Sequence, residues 1–388
     1  MIYLDYNATA PVRPVVKEAM LEAMSVPGNA SSVHRGGRHA RYLVEQARRH
    51  LADALDTRAS RIFFTSGGTE GNNIVFHARP WKRILISGTE HDSVLGPASA
   101  LAAGIKQLPL NTTGQVDADA LERLLSMAGE EENAATLISV MWANNETGLL
   151  QPVGELAALA HRHGAHFHCD AVQALGKIEV SAALCDADFL TLSAHKIGGP
   201  QGCGALMIRD PDRAQAVFRG GGQERGLRPG TENVAGIAGF SAALEAALAD
   251  QPMMARLAAW RQEMEDDILA TAPGAVVYGR GQARLPNTSC IRMPGVASSL
   301  QVMSFDLEGI AISAGSACSS GKVTPSHVLQ AMGISASAAG EAIRISGGWN
   351  SRQEDFRTCT DVWKAIYRRQ GGGNADKKAT PADKGHAA

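Results

Sequence analysis

Lys196 sits in Ser193-Ala194-His195-Lys196, directly after the apolar run 188–192 and before Ile197-Gly198-Gly199-Pro200. A lysine at the end of a strand, ringed by small residues, has the setting of an amine that binds an aldehyde. Taken alone, a lysine is more often a solvated surface charge. Asp170 changes the balance because it closes a second apolar strand, residues 165–169. A Schiff-base lysine with an aspartate for a pyridinium nitrogen is the pairing that pyridoxal phosphate (PLP) requires. The aspartate keeps the ring nitrogen protonated, and the ring then accepts electron density from a carbanion.

Other polar residues fall in the same kind of position. Ser66-Gly67-Gly68-Thr69-Glu70-Gly71 lies between a strand and a helix expected to open near Asn72. Glycines there let the backbone approach an anion, and a helix N-terminus supplies free N–H groups. The segment lacks the Walker lysine and the dinucleotide glycine spacing, so a single phosphate is the expected guest. An ordinary strand–helix turn is the plainer alternative. His91 follows the strand 84–87 and could stack on a pyridine face or carry protons; an isolated histidine is more often structural. Asn145, in Asn144-Asn145-Glu146-Thr147-Gly148, offers an amide to a cofactor oxygen or a carboxylate. Gln173, three residues beyond Asp170, could donate to the same ring. Arg344 lies on the apolar segment 342–346 and needs an anionic partner, either a substrate carboxylate or an internal acid.

Cys318 stands apart from the other five cysteines. It sits in Ser313-Ala314-Gly315-Ser316-Ala317-Cys318-Ser319-Ser320-Gly321, where no large side chain is present to build a core. A thiol in an exposed loop is a liability unless it reacts. Cys169, Cys185, Cys203, Cys290 and Cys359 instead read as small buried hydrophobes. His161, His163, His166 and His168 are dense, but Gly164 splits them and no carboxylate or cysteine ladder accompanies them. No resident metal site is expected. The glycine- and charge-rich loop 220–231 is equally consistent with phosphate binding and with a structural role.

These residues require strand ends to hold them. Apolar runs at 62–64, 84–87, 136–141, 166–169, 189–192 and 205–208 predict strands, with helical spacing at 121–127 and 153–163 between them. Such alternation implies a mostly parallel α/β sheet with flanking helices, whose ligands bind beyond the carboxyl ends of the strands. One long helix is expected from Ala235 to Thr271. Strand-like segments follow at 287–293, 302–307 and 310–313, with a final helix around Trp363. The residues after Gly371 carry no large apolar side chain and are expected to be disordered. Residues 16–250 are expected to form a large domain and 251–370 a smaller α+β one, with residues 1–15 packing on the latter.

Composition narrows the class further. The 388 residues are 45% hydrophobic and 20% charged, with a net charge of −2. That balance is ordinary for a soluble chain and gives no basic footprint for nucleic acid or membrane. No apolar stretch is long enough for a membrane span, and the first residues do not read as a signal peptide. Six cysteines without a C-x-x-C pair fit a reducing cytoplasm.

Taken together, the segments resemble the cysteine desulfurases, a branch of the class V group of fold-type I PLP enzymes. The resemblance runs from Tyr3-Leu4-Asp5-Tyr6-Asn7-Ala8-Thr9-Ala10 to about Trp349. It is carried by residues 65–73, Glu90-His91, residues 144–148, Asp170-Ala171-Val172-Gln173 and Ser193-Ala194-His195-Lys196. The loop around Cys318, with Pro325-Ser326-His327-Val328-Leu329 downstream, is similar to the long loop of the housekeeping and nitrogenase-maturation subgroup. The resemblance implies a seven-stranded-type sheet and a homodimer. It implies that Lys196 binds PLP, His91 stacks on the ring, Asp170 pairs with its nitrogen and Gln173 meets its phenolic oxygen. Gly68, Thr69, Ser193 and His195 would hold the phosphate, with Thr231 of the opposite subunit. Asn145 and Arg344 would hold the substrate carboxylate. The implied reaction turns L-cysteine into L-alanine and leaves sulfur on Cys318 as a persulfide, for an acceptor such as an iron–sulfur scaffold; Cys318 would be at most a transient iron–sulfur ligand. Gly199 and Ile345-Ser346 depart from common family residues. The alternatives are a selenocysteine lyase or kynureninase-like PLP lyase, which needs no Cys318, and a non-catalytic partner protein on the same fold.

Overall fold

A computed structural model describes residues 1–101, 103–315 and 324–370. Cys318 and the tail from Gly371, expected to be disordered, therefore lie outside the described residues. The described residues form thirteen strands, β1 to β13 in chain order. They are β1 (Ile2–Tyr3), β2 (Ile62–Thr65), β3 (Arg83–Ser87), β4 (Gly104–Leu108), β5 (Thr136–Met141), β6 (His166–Asp170) and β7 (Phe189–Ser193). The rest are β8 (Gly204–Ile208), β9 (Val276–Val277), β10 (Thr288–Arg292), β11 (Ile310–Ala311), β12 (Ser313–Ala314) and β13 (Ala342–Ser346).

The large sheet has the order β2-β8-β7-β6-β5-β3-β4. Its neighbours are parallel except at β8, which runs antiparallel to β2 and β7. Successive side chains of a strand point to opposite faces, and both faces here are apolar. Ile84 and Ile86 pack in one cluster with Phe63, Phe189, Leu206 and Ile208. Leu85, between the two isoleucines, joins the other with Ile138, Phe167, Leu190 and Met207. Helices cover both faces, which fixes the register of every central strand. The six strands expected from sequence are all present. The seventh, β4, is an edge strand whose first four residues are exposed, so burial left no apolar run to read.

Beyond residue 250 a second core gathers Leu257, Ile268, Ile291, Phe305, Ile343, Phe356 and Trp363. Its antiparallel sheet has the order β12-β13-β10-β9. The N-terminal segment joins this core through Leu4, with β1 parallel to β11. Two expectations are corrected here. The single helix expected from Ala235 to Thr271 is two helices, Val234–Ala249 and Gln251–Thr271. Pro252 near the start of the second has no N–H to continue the first, and its ring would clash with the preceding turn. The strand expected at 302–307 lies in the helix Ser298–Leu307. Met303, Phe305 and Leu307 alternate like a strand, yet only Phe305 is buried. Among the described residues no helix is long and apolar enough to cross a membrane.

Candidate active site

The ends of β2, β3, β5, β6 and β7 reach one edge of the large sheet, where the chain leaves the hydrogen-bonding ladder and exposes polar groups. After β7 the chain makes one tight turn, Ala194–Lys196. Ala194 is buried, which leaves His195 and Lys196 half-buried beside a cavity. Gly199 closes the turn against Ala194, where a Cβ would come within 2.9 Å of the Ala194 carbonyl oxygen. In this chain a side chain at 199 would therefore require the turn to shift.

Lys196 Nζ donates to the carbonyls of Asn7 (2.7 Å) and Ala8 (2.8 Å). Burial, and then the Arg344 guanidinium, bring its pKa down to about 8, while Asp170 and Asp5 pull the other way. Asp170, at the end of β6, accepts from Asn72 Nδ2 (2.9 Å) and from the backbone N–H of Val172 (3.0 Å). Asn72 also donates to Ser93 Oγ (2.9 Å), which is 2.9 Å from His91 Nδ1. A continuous polar chain thus links the carboxylate to the histidine.

The helix after β2 begins at Gly68, four residues earlier than expected from sequence, and has no side-chain cap. Its first N–H groups are therefore free to meet an anion. Gly67 has φ of 151°, a conformation that favours glycine, and a Cβ on Gly68 would come within 2.9 Å of Val172. Ser193 Oγ is buried without a hydrogen-bond partner among the described residues. His195 Nδ1 lies 3.2 Å from Thr9 Oγ1, and burial brings its pKa down to about 4, with Lys196 and Lys177 acting the same way. A ring pocket beside Lys196 and Asp170, an open helix terminus and an unpartnered hydroxyl fit the aldehyde, pyridine and phosphate of PLP.

Arg344 comes from the second core. On β13 it stands opposite Cys290 of β10 and Ser313 of β12. Its Nη1 donates to the Asn145 carbonyl (3.1 Å) and its Nη2 to Asp5 Oδ1 (2.7 Å). Close by, Gly315 and His327 reach the cavity from the two sides of the segment that contains Cys318. His327 Nε2 donates to the Glu90 carbonyl (2.9 Å), and Ser326 Oγ donates to Glu146 Oε2.

Gly68, Thr69, His91, Asn145, Asp170, Gln173, Ser193, His195, Lys196 and Arg344 all line one cavity of about 370 Å³. Thr231 does not. It is exposed in a separate groove with Ser66, Thr69 and Glu70. Of the four histidines, His161 and His166 both approach Asp188, at 2.9 and 3.8 Å, and His168 lies apart from them. His161 bonds Asp186 and Asp188, and His168 is buried between Ser139 and Thr191. The loop at 220–231 is anchored by Glu224, which is buried on Arg48 at 2.7 and 2.8 Å. Cys169, Cys185, Cys203, Cys290 and Cys359 are buried, and Cys185 ends a short helix, Ala182–Cys185.

Several site residues carried no role in the sequence reading. Asn7 is buried, and besides accepting from Lys196 it takes Gln173 Nε2 (2.9 Å) and donates to the Asn145 carbonyl (3.1 Å). Lys177 is a buried second lysine behind the cavity, on Asn7 Oδ1 (2.8 Å) and Gln173 Oε1 (2.6 Å). Burial pushes its pKa well down. Glu90 is buried with Oε2 unpartnered among the described residues, and burial pushes its carboxyl well above the usual range. Lys177 offered one signal, since it lies four residues after Gln173, one helical turn on.

Residues 2–358 match the family model of the class-V aminotransferases. A cysteine desulfurase of Enterobacter agglomerans is 42% identical over 95% of this chain and 93% of its own. A solved NifS-like protein from Rickettsia africae has a TM-score of 0.87 at 36% identity, covering 95% of this chain and 99% of its own. A solved SspA in complex with cysteine has a TM-score of 0.75 at 30% identity, covering 89% and 98%. The chain belongs to the class-V aminotransferase family and, within it, to the cysteine desulfurases.

Proposed function

We propose that this enzyme binds PLP on Lys196, turns L-cysteine into L-alanine, and carries the released sulfur as a persulfide on Cys318. The observation that carries the reading is the convergence of Lys196, Asp170, Ser193 and Arg344 on one cavity. Asp170 would hold the ring nitrogen and Gln173 the phenolic oxygen, with His91 against the ring face. Gly68, Thr69, Ser193 and His195 would hold the phosphate, and Thr231 of a second subunit would complete it. PLP, when bound, supplies an electron sink that acidifies Cα–H of the amino acid and weakens its Cβ–Sγ bond.

The chain's own groups do the remaining work. Arg344 and the Asn145 amide hold the substrate carboxylate and so fix which Cα bond faces Lys196. With both N–H bonds of a neutral Lys196 amine on the Asn7 and Ala8 carbonyls, its lone pair is what remains to take the Cα proton. Cys318 attacks Sγ as a thiolate. An S–S bond forms, the Cβ–Sγ bond breaks, and Cβ keeps the electron pair and takes a proton. The bound SspA relative, at 30% identity, supports cysteine as the ligand of this cavity. An iron–sulfur scaffold is the proposed acceptor, and a cytoplasmic homodimer the proposed form. Residues up to about 250 and those beyond are proposed as the two domains, with residues 1–15 on the second.

The test pairs two variants. Lys196→Ala should lose the absorption band of lysine-bound PLP together with alanine formation. Cys318→Ala should keep the band and the spectral response to cysteine, yet form no persulfide and almost no alanine. Persulfide mapped by mass spectrometry to Cys169 or Cys359, with Cys318→Ala fully active, would refute the role of Cys318.

A further inference from the structure

We propose that Asp5 stands in for the substrate carboxylate on Arg344, and that an incoming amino acid binds by taking its place. The proposal rests on the reading that Arg344 is the carboxylate site. Asp5 Oδ1 lies 2.7 Å from Arg344 Nη2. The Arg344 side chain is 8% exposed and the Asp5 side chain 17%, so the pair is largely shielded from water. Nη1 is on the Asn145 carbonyl at 3.1 Å, and Nε is buried without a partner among the described residues. A planar fork binds a carboxylate best through two parallel N–H bonds. Here one carboxylate already holds one edge of the fork, and it holds it through a single oxygen.

The position of Asp5 makes exchange reasonable. It forms an isolated bridge with Ser346, two residues past Arg344, so backbone pairing keeps it beside the guanidinium whatever its side chain does. The same segment continues into Asn7 and Ala8, whose carbonyls hold Lys196. Tyr3 Oη donates to the Asp5 and Thr9 carbonyls at 3.1 and 2.8 Å, which ties the bend from both sides. Without Asp5, a largely buried arginine would wait for substrate with no counter-charge, which is costly. With it, the resting site is neutralised, and each substrate must compete for the arginine. Asp5 acts through Arg344 and is a positioning residue that sets affinity for the carboxylate.

The experiment compares two ligands that differ by that carboxylate, L-alanine and ethylamine, binding to the PLP-loaded enzyme. Dissociation constants come from the change in PLP absorption. In the wild type, L-alanine should bind more tightly than ethylamine. If it does not, Arg344 is not a carboxylate site and the underlying reading fails, independently of Asp5. In Asp5→Asn, which keeps the shape and removes the charge, the preference for L-alanine over ethylamine should rise roughly fivefold. Ethylamine affinity and melting temperature report whether the fold and the PLP are intact. An unchanged preference overturns the proposal. A reduced preference also overturns it, because Asp5 would then be a scaffold that aims Arg344.

Discussion

His168 is fully buried inside the large sheet, with Nδ1 2.8 Å from Ser139 Oγ and Nε2 3.1 Å from Thr191 Oγ1. Burial alone brings its pKa from 6.5 down to about 3. Between those two values the unfolded chain binds the proton and the folded chain does not. The folded state therefore loses stability as pH falls from about 6.5, by about 1.4 kcal/mol per pH unit from this group. His168→Gln should lower stability at neutral pH yet flatten the decline between about pH 6 and pH 4 by that slope. Urea midpoints at several pH values would check it, and parallel wild-type and variant slopes would assign the decline elsewhere. Lys196 and Asp170 were legible as a pair because each ends its own apolar run, a short-range signal. Asn7 and Lys177 were not, because their roles are made by contacts across the chain, as between Asn7 and Thr288.

Strands and helices show the same division between local and distant causes. Central strands were legible because burial on both faces makes them continuous apolar runs, as in β5 and β7. The edge strand β4 and the helix Ser298–Leu307 were not, since exposed residues there carry no core pattern. The loop at 220–231 was ambiguous for a related reason: one of its charges, Glu224, is internal, whereas Arg225 is exposed. Glu224 holds a left-handed conformation with φ of 46° and is 7% exposed. Both of its oxygens engage Arg48, and one also accepts from the Phe64 N–H at 3.0 Å. The glycine-rich loop is thereby fastened to β2, just before the turn that leads to Gly68. Removing one partner strands a buried charge, so Glu224→Ala should cost about 3–5 kcal/mol in urea unfolding. A loss below about 1 kcal/mol would mean that water replaces the carboxylate and the anchor is weak.

At the scale of the whole molecule, Thr231 lies away from the cavity that gathers the other site residues. That residue lies in an exposed groove with Phe218, Arg219 and Arg228, on the outer side of the helix whose N-terminus faces the cavity. Leu21, Met24, Val33 and Tyr42, on and between the first two helices, are also exposed. In the proposed homodimer, Thr231 of a second copy would reach the phosphate site of this one. Shared sites make a prediction that separate sites do not. A Lys196→Ala chain lacks the amine but keeps Thr231, and a Thr231→Val chain lacks the hydroxyl but keeps Lys196. Each homodimer should be impaired, the first abolished and the second weakened in PLP retention. In a mixed dimer, one site would combine the intact Lys196 of one chain with the intact Thr231 of the other. Co-expressing the two with different tags and isolating the doubly tagged species should restore one fully loaded site per dimer. If each site used its own Thr231, the mixed dimer would hold PLP no better than the Thr231→Val homodimer does at each of its sites, and the shared-site assembly would be wrong.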